Sequence, residues 1–160
     1  MTAPMTAPRP PETYLAFDYG LRRTGVASGS RMLGRGAPLT TVTAEGNARF
    51  APIEALIREW RPDALVVGVP RHPDGADHEN TRRAQRFARQ LQGRFGLPVF
   101  EVDERYSTTE VLAAGARDAD AAAAALLLTQ HFDELDRATR VAALTSPQEQ
   151  DPEETNPPKD

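Results

Sequence analysis

With 160 residues, 39% of them hydrophobic and 26% charged, the chain can form one domain with a full-sized core. It has no cysteine, which excludes disulfides, thiolate zinc sites and cysteine nucleophiles; no apolar run nears the roughly 18 residues that cross a bilayer, and the N-terminus lacks the apolar core of a signal peptide, so the expected location is the cytoplasm, with no membrane partner. The net charge of −4 argues against nucleic acid as a partner only until it is located: residues 148–160 carry all of it, residues 1–147 are neutral, and their 18 cations are all arginine.

Arginine makes the two-pronged hydrogen bond to phosphate that lysine cannot. A GC-rich coding bias would produce the same excess. Residues 1–12 repeat Met-Thr-Ala-Pro and read as a disordered lead-in. The folded domain is expected over 13–140, and 141–160 as a disordered acidic tail.

Tyr14 to Asp18 predicts a first strand. The turn Gly20-Leu21-Arg22-Arg23 leads into a second strand, Thr24 to Ser28, as a hairpin. Gly34 to Val42 gives a third strand. Asn47 is placed to cap a helix running to Trp60, with Ile53, Leu56, Ile57 and Trp60 on one face. Ala64 to Val69 is unbroken apolar, as in a strand covered on both faces. A Pro-Asp-Gly turn lies in the loop from Pro70 to Gly75. Glu79 to Phe95 reads as a long helix with Ala84, Phe87, Ala88 and Leu91 as its core stripe. Pro98 to Asp103 reads as another strand, and Ser107-Thr108-Thr109-Glu110 as a capping box that starts a helix. The last helix runs from Asp118 to about Leu135. A hairpin and strand followed by alternating helices and strands predicts an α/β fold with a mixed sheet and helices on both faces.

In such sheets the site lies beyond the carboxyl ends of the parallel strands. Asp18 and Glu104 stand at strand ends, and Asp120 at a helix start. Carboxylates are hard oxygen ligands suited to Mg²⁺ or Mn²⁺. Each also has a plainer role. Asp18 forms a turn before Gly20, Glu104 competes with Asp103 on the opposite strand face, and Asp120, like Asp118, favours the positive end of a helix. Spacing alone does not choose between these neighbours. Phosphate contacts are expected from Arg22 and Arg23 in the hairpin turn, Arg71 and His72 after the buried strand, and Arg82, Arg86 and Arg89 along one helix. A solvated helix face explains that row equally well.

The string Phe17-Asp18-Tyr19-Gly20-Leu21-Arg22-Arg23-Thr24-Gly25-Val26-Ala27 resembles the first motif of the YqgF/RuvX family. Val66-Val67-Gly68-Val69-Pro70 with Asp74-Gly75 resembles the second, and Asp103-Glu104-Arg105-Tyr106-Ser107-Thr108 the third. Asp120, its alanines, Leu126-Leu127-Leu128 and His131-Phe132 resemble the fourth. The resemblance covers about 14 to 135. It implies a ribonuclease H-like five-stranded mixed sheet related to the RuvC resolvases. It also implies a nuclease site in which Asp18, Glu104 and Asp120 are both catalytic and metal-ligating, with two Mg²⁺ or Mn²⁺ ions, Arg105 among the nucleic-acid contacts, and a weak homodimer. The implied role is maturation of the 5′ end of the 16S ribosomal RNA precursor, with a branched-DNA resolvase or exonuclease as the alternative. One departure stands out: only Val111 to Ala119 separate the third and fourth motifs, with Arg117 their one cation. Two rivals remain. A kinase or ATPase of the actin superfold shares the Asp-x-Gly turn but needs a second lobe, and a non-catalytic ribosome-assembly binder has no use for three acids.

Overall fold

The computed structural model describes residues 9–70, 78–104 and 118–150. The expected turn with Arg71 and His72, the helix start at Ser107, and Arg105 lie outside the described residues.

Five strands form one mixed sheet in the order β3-β2-β1-β4-β5. β1 (Thr13–Asp18), β2 (Arg23–Ser30) and β3 (Arg35–Thr43) are antiparallel neighbours. β4 (Ala64–Val69) runs parallel to β1, and β5 (Val99–Asp103) parallel to β4. This is the ribonuclease H-like mixed sheet that the resemblance implied. Pro38 is tolerated because β3 is an edge strand, and the β2–β3 register slips beside it, between Val26 and Ala27.

Strand alternation divides the core into two faces. Tyr14, Ala16, Ala27, Val66 and Val102 pack against α3 (Ala119–Gln150) through Ala124, Leu127, Leu128 and Phe132. Leu15, Phe17, Val26, Leu65 and Val67 face α1 (Phe50–Trp60) and α2 (His78–Phe95) through Phe50, Ile53, Phe87 and Leu91. Every residue of β4 is buried, as its unbroken apolar run requires of a strand covered on both sides.

Three local expectations are corrected. Asn47 does not cap α1: Gly46–Arg49 form a 3₁₀ turn and α1 begins at Phe50, which puts Pro52 in the first turn, where its missing N–H leaves no bond unmade. Trp60 is not core: as the last residue of α1 it is 43% exposed and lines a shallow surface cavity with Leu33 and Pro62. α3 runs to Gln150, past the helix end expected near Leu135: no glycine or proline interrupts 120–146, and the helix continues through Pro147.

Candidate active site

The sheet's carboxyl edge gathers the three acids from separate stretches of chain. Asp18 is the last residue of β1, and its side chain is on the α3 face with Tyr14 and Ala16. Glu104 follows β5 directly, and its N–H donates to Val69 O at 3.0 Å, extending the parallel ladder by one residue. Val102 is in the α3-face cluster, so alternation turns Asp103 to the opposite face and Glu104 to the face of Asp18. The structure thus separates two residues that spacing could not.

The two helix-start acids separate as well. Asp118 is the N-cap of α3: its Oδ1 accepts the Ala121 N–H at 3.2 Å and the Thr41 hydroxyl at 2.6 Å, which anchors the helix to β3. Asp120, within the first turn, is free of that duty, and its Oδ2 lies 3.0 Å from Arg23 Nε. Gly25 sets its position. Gly25 is the register partner of Asp18, so both face α3, and a Cβ built on it would lie 1.8 Å from the carbonyl oxygen of Asp120. Only glycine at this position lets the start of α3 press onto β2 next to Asp18. At the other end of the site, Gln130 Nε2 donates to Asp103 O at 2.8 Å and ties α3 to the end of β5.

Asp18 and Glu104 line one cavity of about 400 Å³ with Tyr19, Pro70 and Asn80. Asp120 lines an open groove of about 730 Å³ with Arg22, Arg23 and Thr43, and Gly20 and Leu21 form part of both walls. Loss of solvation, then the negative charge of Glu104, then that of Asp120, push the Asp18 pKa up to about 8. Without a cation, Asp18 therefore holds a proton at neutral pH. Among the described residues, no three acid or imidazole groups form a ready-made cage for a metal ion. The donor set nevertheless suits a hard divalent cation: its oxygens are carboxylate, and Arg23, which pairs with Asp120, is 65% exposed.

Of the expected phosphate contacts, Arg22 and Arg23 line the groove of Asp120. Arg22 also makes a loose pair with Glu45 at 3.8 Å. Arg86 lines a different cavity, and Arg82 lies exposed on α2.

The sequence reading missed Arg49. It is 3% exposed, and its guanidinium donates to the carbonyls of Gly46 at 2.9 Å, Gly20 at 3.0 Å and Leu21 at 3.0 Å. It also lies over the Tyr19 ring, 4.6 Å from the centroid. Arg49 therefore braces the turn that follows Asp18. No local signal marks it, because two of its acceptors, the carbonyls of Gly20 and Leu21, lie 29 and 28 residues upstream, and backbone acceptors leave no trace in side-chain patterns.

These features define a ribonuclease H-like α/β domain with an acidic site at the carboxyl edge of its sheet. The sequence model of the RuvX family, described as Holliday junction resolvase, matches residues 12–134, and the chain belongs to that family. A protein of Polaromonas sp. named "Putative pre-16S rRNA nuclease" is 64% identical over 124 residues, covering 78% of this chain and 90% of that protein. One of Albidiferax ferrireducens with the same name is 66% identical over 119 residues, 74% of this chain and 76% of that protein. Among solved structures, T. thermophilus RuvC in complex with a Holliday junction substrate aligns at 17% identity and a TM-score of 0.48, covering 77% of this chain and 94% of that one.

Proposed function

We propose that the protein is a divalent-metal-dependent nuclease of the cytoplasm that hydrolyses phosphodiester bonds in maturing the 5′ end of the 16S ribosomal RNA precursor. The observation that carries this reading is the Asp18 carboxyl, half-buried beside two further acids at the sheet's carboxyl edge, where its pKa rises to about 8. A structural acid is matched by a partner; this one is surrounded by like charge, an arrangement characteristic of sites that bind cations. The names of the relatives supply the substrate.

Asp18, Glu104 and Asp120 are the residues that would hold Mg²⁺ or Mn²⁺. Bound there, such ions supply Lewis-acid stabilisation of phosphate charge and acidify water. The chain's own part is fourfold. Asp18 would release its proton to solvent on holding a cation. Glu104 is held against β4 by its backbone bond, and Asp120 against β2 by Gly25. Arg22 and Arg23 place positive charge at the rim, where it attracts phosphate and offsets the acids' repulsion of the polyanion. The chain needs no covalent nucleophile for hydrolysis, in keeping with the absence of cysteine.

Cleavage of a 5′-labelled RNA spanning the precursor's 5′ end, run beside a four-way DNA junction with Mg²⁺ or Mn²⁺, tests the proposal. RNA cleavage that requires both metal and Asp18 is expected. Undiminished turnover by Asp18→Asn with Mn²⁺ would refute the site. A second reading, resolution of branched DNA, is favoured by the family description; preferential cutting of the junction would select it.

A further inference from the structure

A second cavity opens on the other side of Tyr19, between the 3₁₀ turn and α2. It has a volume of about 220 Å³ and is lined by Asn47, Arg49, Arg83, Arg86 and Gln90, with Tyr19 as the wall it shares with the Asp18–Glu104 cavity. Its charged lining is wholly cationic, and its neutral polar side chains are two amides and a phenol. Arg49, at its floor, is 3% exposed, and no carboxylate among the described residues neutralises it. Arg86 makes no ion pair among the described residues, and Arg83 has only a surface pair with Glu79, 2.9 Å away on the same helix, an arrangement that holds the side chain weakly. The volume falls below the roughly 300 Å³ at which small-molecule pockets begin, yet exceeds several waters of about 30 Å³ each. That is space for one anionic group of a larger ligand.

We propose that this cavity seats a backbone phosphate of the nucleic acid, displaced along the strand from the bond that lies at Asp18. The proposal rests on the nuclease reading and adds to it a substrate path. The strand crosses Tyr19, with one phosphodiester among the acids and another held by Arg86 and Arg83 over the buried charge of Arg49. Arg82, one position from Arg83 but turned to solvent, takes no part.

The test measures binding apart from cleavage. Full-length Asp18→Asn protein is titrated, without metal, into a fluorescein-labelled single-stranded RNA and a labelled four-way DNA junction from about 50 to about 200 mM salt. Adding Arg86→Gln should weaken binding roughly ten-fold at low salt and lower the slope of log affinity against log salt by about 1, the signature of one lost phosphate contact. Arg86→Lys should restore most of the slope. Arg58→Gln, an equal charge change on α1 away from both cavities, should leave it unaltered. An Arg86→Gln slope and affinity equal to those of Arg58→Gln would overturn the proposal, as would a failure of the protein to bind either polymer. Arg86-dependent binding by a wild-type protein that never cleaves would sink the nuclease reading and leave this cavity standing. Cleavage with binding indifferent to Arg83 and Arg86 would do the reverse.

Discussion

Gly25→Ala is a one-methyl perturbation whose consequence can be worked out from the backbone. The new Cβ would lie 1.8 Å from Asp120 O, 2.2 Å from Asp120 C and 2.8 Å from Ala121 N. All three are backbone atoms at the start of α3, so no side chain can swing aside to relieve them. Restoring an ordinary contact of 3.4 Å to the carbonyl oxygen means moving the first turn of α3 by about 1.6 Å. β2 cannot yield instead, because it is paired on both sides, Gly25 with Asp18 and with Thr41. Overpacking of this kind costs about 1–3 kcal/mol, and at 2–4 °C per kcal/mol for a chain of this size the midpoint should fall by roughly 2–12 °C. The larger effect is on the site. A displacement of about 1 Å in a catalytic group can cost on the order of 10²-fold in rate, so cleavage should fall about that much while the circular dichroism spectrum is retained. Thermal melts and metal-dependent RNA cleavage measure the two effects separately. A Gly25→Ala protein with the parent's midpoint and the parent's turnover would show that α3 does not depend on this contact, and the argument that glycine positions Asp120 would be lost.

Three further outcomes are expected. The Asp18 pKa is raised from 3.8 to about 8 in the folded protein, so the fold keeps a proton that the unfolded chain releases, and stability without metal should fall as pH rises from about 4 to about 8 and level off above. Asp18→Asn should flatten that slope and melt higher than the parent at pH 8 in EDTA; equal midpoints there would contradict the charge crowding. Arg23→Gln should free Asp120 and tighten Mn²⁺ binding about two- to five-fold, the worth of an exposed ion pair, as read by calorimetry at fixed pH; weaker Mn²⁺ binding would assign Arg23 a different role. Arg49→Met should cost about 3 kcal/mol or more by leaving the carbonyls of Gly20, Leu21 and Gly46 without their charged donor, and a melting midpoint within a degree of the parent's would show that the turn is held by other means.

The fold was legible where one face of an element decides its pattern. β4 announced itself by an unbroken apolar run, and α2 by a stripe of Ala84, Phe87, Ala88 and Leu91 that is buried as expected. The site was legible only as candidates. Asp18, Glu104 and Asp120 each have a local role open to them, and which role wins depends on partners distant in sequence. Asp118 is a cap because Thr41 and the Ala121 N–H claim it, and that releases Asp120. Glu104 faces Asp18 because Val102 faces α3, a fact about sheet packing that β5's short and half-exposed pattern does not carry. Gly25 stood out in the sequence as a member of the first motif. Its function lies in the missing Cβ, which a sequence cannot reveal without knowing what packs above it.

Arg23 and Arg49 divide the electrostatic work of the site by depth. Arg23 is exposed and touches Asp120, so water screens its charge and a divalent ion can displace it at small cost. Arg49 is buried and touches no acid among the described residues: its donors are taken by backbone carbonyls and its face by an aromatic ring, and it is not among the causes of the raised Asp18 pKa. Asp18 is therefore left among like charge while the turn that follows it stays fixed. A carboxylate has no donor for these carbonyls and would have deepened the repulsion at Asp18, and a neutral amide, with two N–H donors, could not have served three carbonyls at once. A buried guanidinium does both, and it leaves positive potential at the floor of the neighbouring cavity, where a phosphate can use it.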